Sequence, residues 1–366
     1  MNYSICFRLE NRSRLSPRAR QRGVTLVEWM VSITVGLFLL AGLSLLIAQQ
    51  SGTRRAIDNS GRLIENGRYA SQILAEDLQM AGYFGALSNI PTAPAAMPDP
   101  CQITVPELTA ALPVHVQGYN APVGSAVPSC VLNHKAGTDI VLVRRAGTQT
   151  NLLAAAVAGR IYLQSGLTAT GTAYEFRLNS GPNAAFTLLQ KDRLTLSALR
   201  PYLTHIYFVS NCSLGTGSGG LCAPGDDNGT WIPTLKRVEL TVASGVAVLQ
   251  TSALVEGIEN LQIDYGLDIV PPAAASTVDG SADVYTPGTF SDHGTNTLAM
   301  APSDWMNVVS VKVHVLARSL ETEAGFQDAK TYSLGLSGSV TPGGAFKRHV
   351  FTQTVRVVNP SGRRAM

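Results

Sequence analysis

The stretch that decides the fold reads RQRG at residues 20–23, VTLVE at residues 24–28, and then an almost unbroken apolar run to Ala48. As a helix, residues 24–48 would measure roughly 37 Å at about 1.5 Å per residue. That length exceeds the hydrocarbon core of a bilayer, which is about 30 Å thick. The sequence therefore predicts a membrane-spanning helix over residues 24–48, with one acid, Glu28, near its start.

Basic residues dominate the segment before this helix. Residues 1–23 carry six arginines and one acid, Glu10, which gives them a net charge of +5. Because positively charged flanks stay in the cytoplasm, the N-terminus is expected there and everything after Ala48 is expected outside. The whole chain has a net charge of +3, so the part after Gly23 has a charge of −2. The bulk charge therefore does not indicate nucleic-acid binding, which favours a basic patch or stripe.

Two simpler explanations of this segment are an ordinary signal peptide and a plain uncleaved anchor. A secretory signal has an apolar region of about 7 to 15 residues and a small-x-small cleavage site. This run is far longer and continues as AQQS at residues 48–51. A plain anchor leaves Glu28 unexplained, since a carboxylate inside a spanning helix costs about 2.5–3.5 kcal/mol at the membrane centre and less near the edge. An acid at this position therefore indicates that its carboxylate pairs with another group.

The residues around Gly23 resemble the class III signal of type IV prepilins and of the pseudopilins of type II secretion. The resemblance implies that residues 1–23 are a leader, that a prepilin peptidase cleaves after Gly23, and that Val24 becomes an N-methylated N-terminus. Glu28 matches the acid of that family. Cleavage creates a positive amine at Val24, with which a carboxylate can pair where subunits pack in a low dielectric. Glu28 is therefore expected to set the register between assembled subunits.

A second helical pattern follows the apolar run. Apolar and small residues recur mostly at three- and four-residue intervals, which predicts an amphipathic helix over residues 49–85, ending near Gly82 or Gly85. Glycines at 52, 61 and 67 each weaken a helix by about 1 kcal/mol relative to alanine and mark where it would bend.

Several motifs in and after this helix resemble PilW-type minor pilins. They are ENGRYA at residues 65–70, Leu74, DL at 77–78, MAGYFG at 80–85, and runs at 257–266, 305–319 with EAG at 323–325, and 351–356. The resemblance implies the pilin plan, in which one long helix serves as membrane anchor in its first half and as the spine of a domain in its second.

The domain over residues 86–366 is predicted to be a periplasmic, β-rich globular domain. Its strand-like runs are rich in β-branched and aromatic residues and are bounded by turn formers. They lie at 139–144, 160–163, 174–178, 205–210, 236–242, 261–265, 308–317 and 349–358. The fold class is therefore α+β and type IV pilin-like, with a mainly antiparallel β domain packed on the long helix. The Pro-rich stretch 91–128 is expected to be extended over the domain, and residues 271–297 to form a surface loop.

Four cysteines remain once the leader, which contains Cys6, is removed. They are Cys101, Cys130, Cys212 and Cys222. An even set in an oxidising compartment indicates two disulfides rather than a metal site, since C-x-x-C spacing and paired histidines are absent from the sequence. Three connectivities are possible, of which loop-closure entropy favours Cys101 with Cys130 and Cys212 with Cys222. No metal or other cofactor is expected.

Some motifs suggest phosphate binding, calcium binding or catalysis, but the sequence around them does not fit such sites. GTGSGG at residues 215–220 fits a G-x-G-x-x-G pattern but leads into no predicted helix, which favours a disulfide-closed turn. GDDNG at residues 225–229 lacks the ligand spacing of a calcium loop, which favours a solvated turn. The six histidines are dispersed, and His205 and His314 are expected to be packed or at strand edges. The sequence therefore predicts no catalytic site, and the protein is interpreted as not an enzyme.

The function that these observations favour is that of a minor pilin in type IV pilus assembly. The resemblance implies a priming or tip complex, with other minor pilins, the major pilin, the prepilin peptidase and the inner-membrane assembly machinery as partners. It also implies a single-pass inner-membrane precursor, then a place in the surface fibre, and the roles of such fibres in twitching motility and cell adhesion. The alternatives are a J-type minor pseudopilin of type II secretion and a bitopic periplasmic binding protein or enzyme. An adhesin or DNA receptor at the fibre tip is compatible with the first interpretation.

Overall fold

The computed structural model describes residues 23–87, 90–122, 124–182, 185–269, 278–292 and 296–365. The chain divides into two compact units, Met1–Arg55 and Ala56–Met366. The leader residues 1–22, with Cys6, lie outside the described residues, as does His293.

One long helix, α1, spans Leu26–Gln79 and contributes to both units. In the first unit its apolar side chains are exposed on nearly all sides. In the second unit it buries one face, formed by Leu63, Ala70, Leu74 and Leu78, whose spacing follows the helical period. The predicted long helix is confirmed, and it is continuous through the three glycines at which bending was expected.

The helix ends slightly earlier than predicted. Residues 80–82 form a turn after Gln79, and Gly82 and Gly85 both adopt a φ of +69°. This left-handed conformation favours glycine, because a Cβ atom would be strained there. The glycines of the MAGYFG motif thus stop the helix and turn the chain toward the domain.

The second unit contains fifteen described strands and three further short helices. The helices are α2 (Val105–Ala111), α3 (Pro302–Trp305) and α4 (Val358–Arg364). The strands are β1 (Val116–Tyr119), β2 (Ile140–Ala146), β3 (Ile161–Leu167), β4 (Tyr174–Ser180), β5 (Leu199–Ser210), β6 (Thr234–Ala243), β7 (Val246–Glu256), β8 (Ile258–Leu267), β9 (Val284–Thr286), β10 (Thr289–Asp292), β11 (Asn296–Ala299), β12 (Val308–Arg318), β13 (Tyr332–Ser333), β14 (Ser339–Val340) and β15 (Arg348–Arg356).

These strands form two main antiparallel sheets, as predicted for an α+β fold. In the seven-stranded sheet β5 pairs with β2 on one edge, and with β3 and then β6 on the other. Strand β1 extends β2, β4 extends β3, and β7 extends β6. The four-stranded sheet has the order β15-β12-β8-β9, and β10-β11 and β13-β14 are separate pairs. All eight predicted strand runs overlap strands, and the last one, 349–358, continues past the end of β15 into α4.

The main core lies between α1 and the two sheets. The buried face of the helix packs with Val143 and Tyr207 of the first sheet and with Ile263 and Val313 of the second. A second cluster gathers Phe84, just after α1, with Leu108, Leu112, Leu163 and Tyr202. The C-terminal part of α1 and the turn after it therefore organise both clusters.

Two expectations about irregular segments need correction. The Pro-rich stretch 91–128 is not merely an extended covering, because it forms α2 and β1 and buries Leu108 and Leu112. A proline lies in the first turn of α2, where its missing N–H costs no hydrogen bond. In the described part of residues 271–297 the chain forms β9, β10 and the start of β11 rather than a loop, since VYT at 284–286 pairs with β8.

Candidate assembly interface

The first turn of α1 is closed by reciprocal hydrogen bonds between Thr25 and Glu28. The backbone N–H of Thr25 donates to Oε2 of Glu28, and the backbone N–H of Glu28 donates to Oγ1 of Thr25, each over 3.4 Å. This is a capping box, in which two free donors of a helix start are satisfied by each other's side chains. Its T-x-x-E spacing is present in the sequence and would have predicted the cap.

The other polar side chains in the apolar part of α1 bond to the helix itself. The hydroxyls of Ser32, Thr34 and Ser44 donate to backbone carbonyls about one turn earlier, over 2.7–2.9 Å. They need no outside partner. Glu28 differs, because its cap bonds are long and a carboxylate can accept about four hydrogen bonds.

The apolar part of α1 lacks any buried face in its unit. Large side chains from Leu26 to Ile47 are at least half exposed, including Trp29 and Phe38. Within the described residues α1 is the one helix long and apolar enough to cross a membrane. A helix that is apolar all round requires lipid or other helices around it.

Of the acids in the domain part of α1, Asp77 is the buried one, and it lies in a cluster of three partners. Arg145 of β2 donates from Nε to Oδ1 over 2.6 Å. The Nδ1 atom of His205 lies 2.7 Å from Oδ2, and the hydroxyl of Tyr207 donates to the same oxygen over 2.9 Å. Both of these residues are on β5, so one carboxylate ties the helix to the two central strands of the first sheet.

The charges in this cluster outweigh the cost of burying it. Burial alone would raise the pKa of Asp77, but His205 and Arg145 hold it well below its usual range. Burial and the nearby carboxylate also raise the pKa of the Tyr207 hydroxyl, which therefore stays protonated as a donor. The cluster is an internal anchor that needs nothing from outside the domain.

The turn after α1 continues this attachment through backbone bonds. Gly82 donates its N–H to the carbonyl of Arg144 over 3.0 Å, and Ala146 donates to the carbonyl of Tyr83 over 2.6 Å. The guanidinium of Arg200 lies 5.4 Å from the ring centre of Tyr83. The MAGYFG segment is therefore bonded to the β2 strand on both sides of Arg145.

The ENGRYA segment brings α1 close to both sheets, at the end of β7 in the first and at β15 in the second. Asn66 donates from Nδ2 to the carbonyl of Glu256 over 3.1 Å. At Gly67 a Cβ atom would lie 2.0 Å from Cε2 of Phe351, so only glycine fits beside that ring as it stands. The residues that resemble the PilW signature are thus the ones that attach the helix to the β domain.

Comparisons with known families agree with this anatomy. A family model described as type IV pilus-assembly protein W matches residues 206–359, and one described as the prokaryotic N-terminal methylation motif matches residues 18–44. Together the two matches support a PilW-type minor pilin of type IV pili. The chain takes part in type IV pilus assembly, and its apolar helix with a prepilin motif fits membrane anchoring. No curated protein and no solved structure matches the chain.

The two matches cover different parts of this PilW-type minor pilin. The methylation motif includes Gly23, Val24 and Glu28, and the pilus-assembly match runs from within β5 into α4. The matched region contains the C-terminal runs on which the sequence resemblance rested, but not the ENGRYA and MAGYFG segments. The family is one of assembly proteins, in which function depends on pilus components and on prepilin processing.

The cysteines of this minor pilin form two disulfides in the β domain, Cys101 with Cys130 and Cys212 with Cys222. These are the pairs that loop-closure entropy favours. GTGSGG lies inside the loop closed by the second disulfide and contains a short 3-10 turn with Gly219 at positive φ. It is a closed turn, as the sequence suggested.

The prediction of a solvated turn at GDDNG needs correction at Asp226, which is buried, whereas Asp227 is half-buried and the other three residues are exposed. Asp226 is buried and accepts from the N–H of Ala223 over 2.6 Å and from the side chain of Thr216. Asp227 accepts from the N–H of Ser213 and Ile232 over 2.9 and 2.8 Å. Backbone N–H groups within and after the disulfide loop occupy these oxygens, so the acids tie the loop to the chain that follows it.

Two histidines of the strand runs are packed, and each faces a carboxylate. His205 bonds Asp77, and Nε2 of His314 lies 3.2 Å from Oδ2 of Asp264. His115 lies in the core with Nε2 2.9 Å from the carbonyl of Val308, and burial lowers its pKa to about 4. Among the described residues no group of three or more His, Cys, Asp or Glu side chains is placed to hold a metal.

The predicted site residues do not form one site. Gly23, Val24 and Glu28 lie at the start of α1 in the first unit, whereas the disulfides lie in the second. The Asp77 cluster was missed in the sequence because its members are 68, 128 and 130 residues away from the acid. The one available signal was a charged residue on the buried stripe of an amphipathic helix.

Proposed function

We propose that this minor pilin works in a complex of minor pilins that primes the fibre or forms its tip. Its precursor is a single-pass inner-membrane protein with the N-terminus in the cytoplasm and the β domain in the periplasm. Prepilin peptidase removes residues 1–23 after Gly23, and Val24 becomes the N-methylated start of the mature chain. The assembly machinery then moves the helix from the membrane into the fibre.

The observation that carries the proposal is an exposed apolar helix with one acid in its first turn. The apolar side chains from Leu26 to Ile47 need a non-aqueous environment, which the membrane supplies first and neighbouring helices supply later. Glu28 needs a cation in that environment, since an unpaired carboxylate in a low dielectric is costly. A mature pilin N-terminus supplies a cation at the right end of the helix.

The geometry of the first turn suits this pairing. Val24 directly precedes the cap residue Thr25, so the amine of each mature subunit would lie at the start of its own helix. The Glu28 carboxylate is one turn inside, and its long cap bonds leave it able to accept an amine from a neighbour. If two subunits are offset along the fibre axis, the Val24 amine of one can meet the Glu28 carboxylate of the other. Other minor pilins and the major pilin are the expected neighbours.

The mature N-terminus is the first test. Intact-mass analysis of the membrane-extracted protein should show loss of residues 1–23 and one added methyl group on Val24. A Gly23→Val variant is expected to keep its leader and serves as the matched control. A wild-type protein that still begins at Met1, with no shorter form in the envelope, would contradict the proposal.

A tip or priming position makes a quantitative prediction about fibre composition. If the chain sits at the tip, its amount per sheared pilus stays constant when pili are made longer or shorter by changing the supply of major pilin. It should also co-purify with other minor pilins in proportions that do not change. An amount that rises with pilus length would instead indicate subunits dispersed along the fibre.

A further inference from the structure

Strand β7 is an edge of the first sheet with one side free. It pairs with β6, and no other described strand pairs with it. The turn between the two strands is Ser244-Gly245, and both residues have positive φ, as in a two-residue hairpin turn. Residues 246–255 contain no charged side chain and no proline.

Other long edge strands in the described part of the chain are protected. Strand β4 carries Glu175 and Arg177, which form an exposed ion pair over 3.1 Å. Strand β15 begins with Arg348 and His349 and ends with Arg356, and Phe351 in its middle packs under α1 at Gly67. Charges, prolines and coverage are the usual means by which proteins prevent pairing at a sheet edge. Strand β7 lacks all three over residues 246–255, and its one charged residue, Glu256, lies at its end beside α1.

The hairpin turn determines which backbone groups of β7 face outward. A two-residue turn makes Ala243 and Val246 a hydrogen-bonded pair, and the antiparallel ladder then alternates along the strand. Residues 248, 250 and 252 direct their N–H and C=O groups to β6. The groups that point away from the sheet belong to Ala247, Leu249, Thr251 and Ala253.

The far end of β7 lies beside the helix through which pilins assemble. Asn66 of α1 donates to the carbonyl of Glu256, and Leu254 packs against the core that the helix enters. The same stretch of α1 exposes Ile64 and Tyr69. A subunit that packs on this part of α1 would therefore meet the free edge of β7 in the same approach.

We propose that the outer edge of β7, residues 247–253, pairs with an extended, uncharged segment of a neighbouring pilin subunit. The segment adds a strand to the first sheet, so that main-chain hydrogen bonds give affinity and alternate side chains give specificity. It is uncharged because the outward positions of β7 offer no counter-charge to a buried ion. The inference rests on the proposed function, since the partner is another pilin.

Photo-cross-linking in piliated cells tests this pairing with the full-length chain. A photoreactive amino acid at exposed position Ala253 should give an adduct with a different pilin, joined through an uncharged segment of that subunit. Thr251→Pro removes one outward N–H and should lower the adduct at least ten-fold. Thr251→Ala keeps that N–H and should leave the adduct within two-fold of the parent. Proline is tolerated on the free side of an edge strand, so the domain should still fold.

A second proline variant tests which N–H groups of β7 point toward β6 and which point away from the sheet. Gln250→Pro removes an inward N–H and should lower the unfolding temperature of the purified protein, whereas Thr251→Pro should leave it nearly unchanged. If the two variants unfold at equally low temperatures, the assignment of the outward groups is wrong.

Three outcomes would overturn the edge pairing. They are an adduct undiminished by Thr251→Pro, an adduct with a second copy of this chain alone, and no adduct from a chain that is recovered in sheared pili. The last outcome removes the edge pairing and leaves the proposed function intact. The proposed function fails separately, if the chain enters neither pili nor a complex with other minor pilins.

Discussion

The apolar half of α1 contains one acid, Glu28, and the buried face of its domain half contains one, Asp77, but the surroundings of the two acids are opposite. Asp77 is buried against Arg145, His205 and Tyr207, all within the domain. Glu28 is exposed, and its described bonds are to Thr25 in its own first turn. The same helix therefore carries an acid satisfied by folding and an acid left for assembly.

This difference separates stability from function along the chain. An acid with three internal partners contributes to the folded state, because removing it leaves the half-buried Arg145 guanidinium and the buried side chains of His205 and Tyr207 without their acceptor. An acid with no partner beyond a helix cap contributes little to the fold of its unit. Such an acid stabilises the assembly when another subunit supplies a positive charge that pairs with it. Substitutions of the two acids should therefore affect different measurements.

The largest expected effect is on assembly, from substitutions at Glu28. Glu28→Ala removes both the cap and the charge, and should lower the amount of this chain in sheared pili at least ten-fold. Glu28→Gln keeps an acceptor for the Thr25 N–H and removes only the charge. If the charge is what assembly requires, the glutamine variant should be as defective as the alanine variant.

The unfolding temperature of the domain provides the control for these variants. It should be unchanged in both, since Glu28 has no described partner in the second unit. Normal incorporation of Glu28→Gln would mean that the acid serves as a helix cap alone, and the contrast with Asp77 would disappear.

The next largest effect is on stability, from Asp77→Ala. Breaking a buried ion pair by removing one partner typically costs about 3–5 kcal/mol. For a domain of this size the unfolding temperature should fall by roughly 5–15 °C, measured by circular dichroism on the detergent-solubilised protein. Glu76→Gln is the control. Glu76 is the exposed neighbour of Asp77, its described side-chain bond is to Gln72, and its substitution should shift the unfolding temperature very little. Equal effects at positions 76 and 77 would show that the cluster does not anchor the helix.

The pH dependence of stability should follow the same cluster. The folded-state pKa of Asp77 lies below its usual value of 3.8, so the folded chain binds fewer protons there than the unfolded chain. The stabilisation is therefore present above about pH 4 and is lost as the pH falls below it. Between pH 6 and pH 3 the wild type should lose more stability than Asp77→Asn. Parallel pH profiles of the two proteins would contradict the assignment.

The sequence was sufficient for the parts of this fold that local patterns encode. The apolar run, the three- and four-residue spacing after it and the strand-like runs predicted α1 and eight strands. Strand β7 was not predicted, although the Ser-Gly turn that joins it to β6 is a hairpin signal. Strand β1 was missed because prolines around it suggested irregular structure.

The candidate site was predictable only where its residues are adjacent in the chain. Gly23, Val24 and Glu28 form a motif that can be read directly. The partners of Asp77 come from strands far along the chain, and the backbone donors to Asp226 and Asp227 lie up to 14 residues away along an irregular segment. Such contacts are consequences of the tertiary fold, and no local spacing encodes them.

The smallest expected effect distinguishes two glycines in the domain part of α1. At Gly61 a Cβ atom would meet nothing within 4 Å, so Gly61→Ala should stabilise the helix by up to about 1 kcal/mol. At Gly67 the added atom would lie 2.0 Å from the Phe351 ring, and displacing that ring should cost about 1–3 kcal/mol. The same helix-propensity gain offsets part of this cost, leaving a net loss of up to about 2 kcal/mol for Gly67→Ala. In a double-mutant cycle, Gly67→Ala with Phe351→Ala should then cost less than the sum of the single variants. If Gly61→Ala and Gly67→Ala both stabilise the protein, the Phe351 ring of β15 moves aside at little cost. The Asp77 cluster, rather than close packing at Gly67, would then hold α1 on the domain.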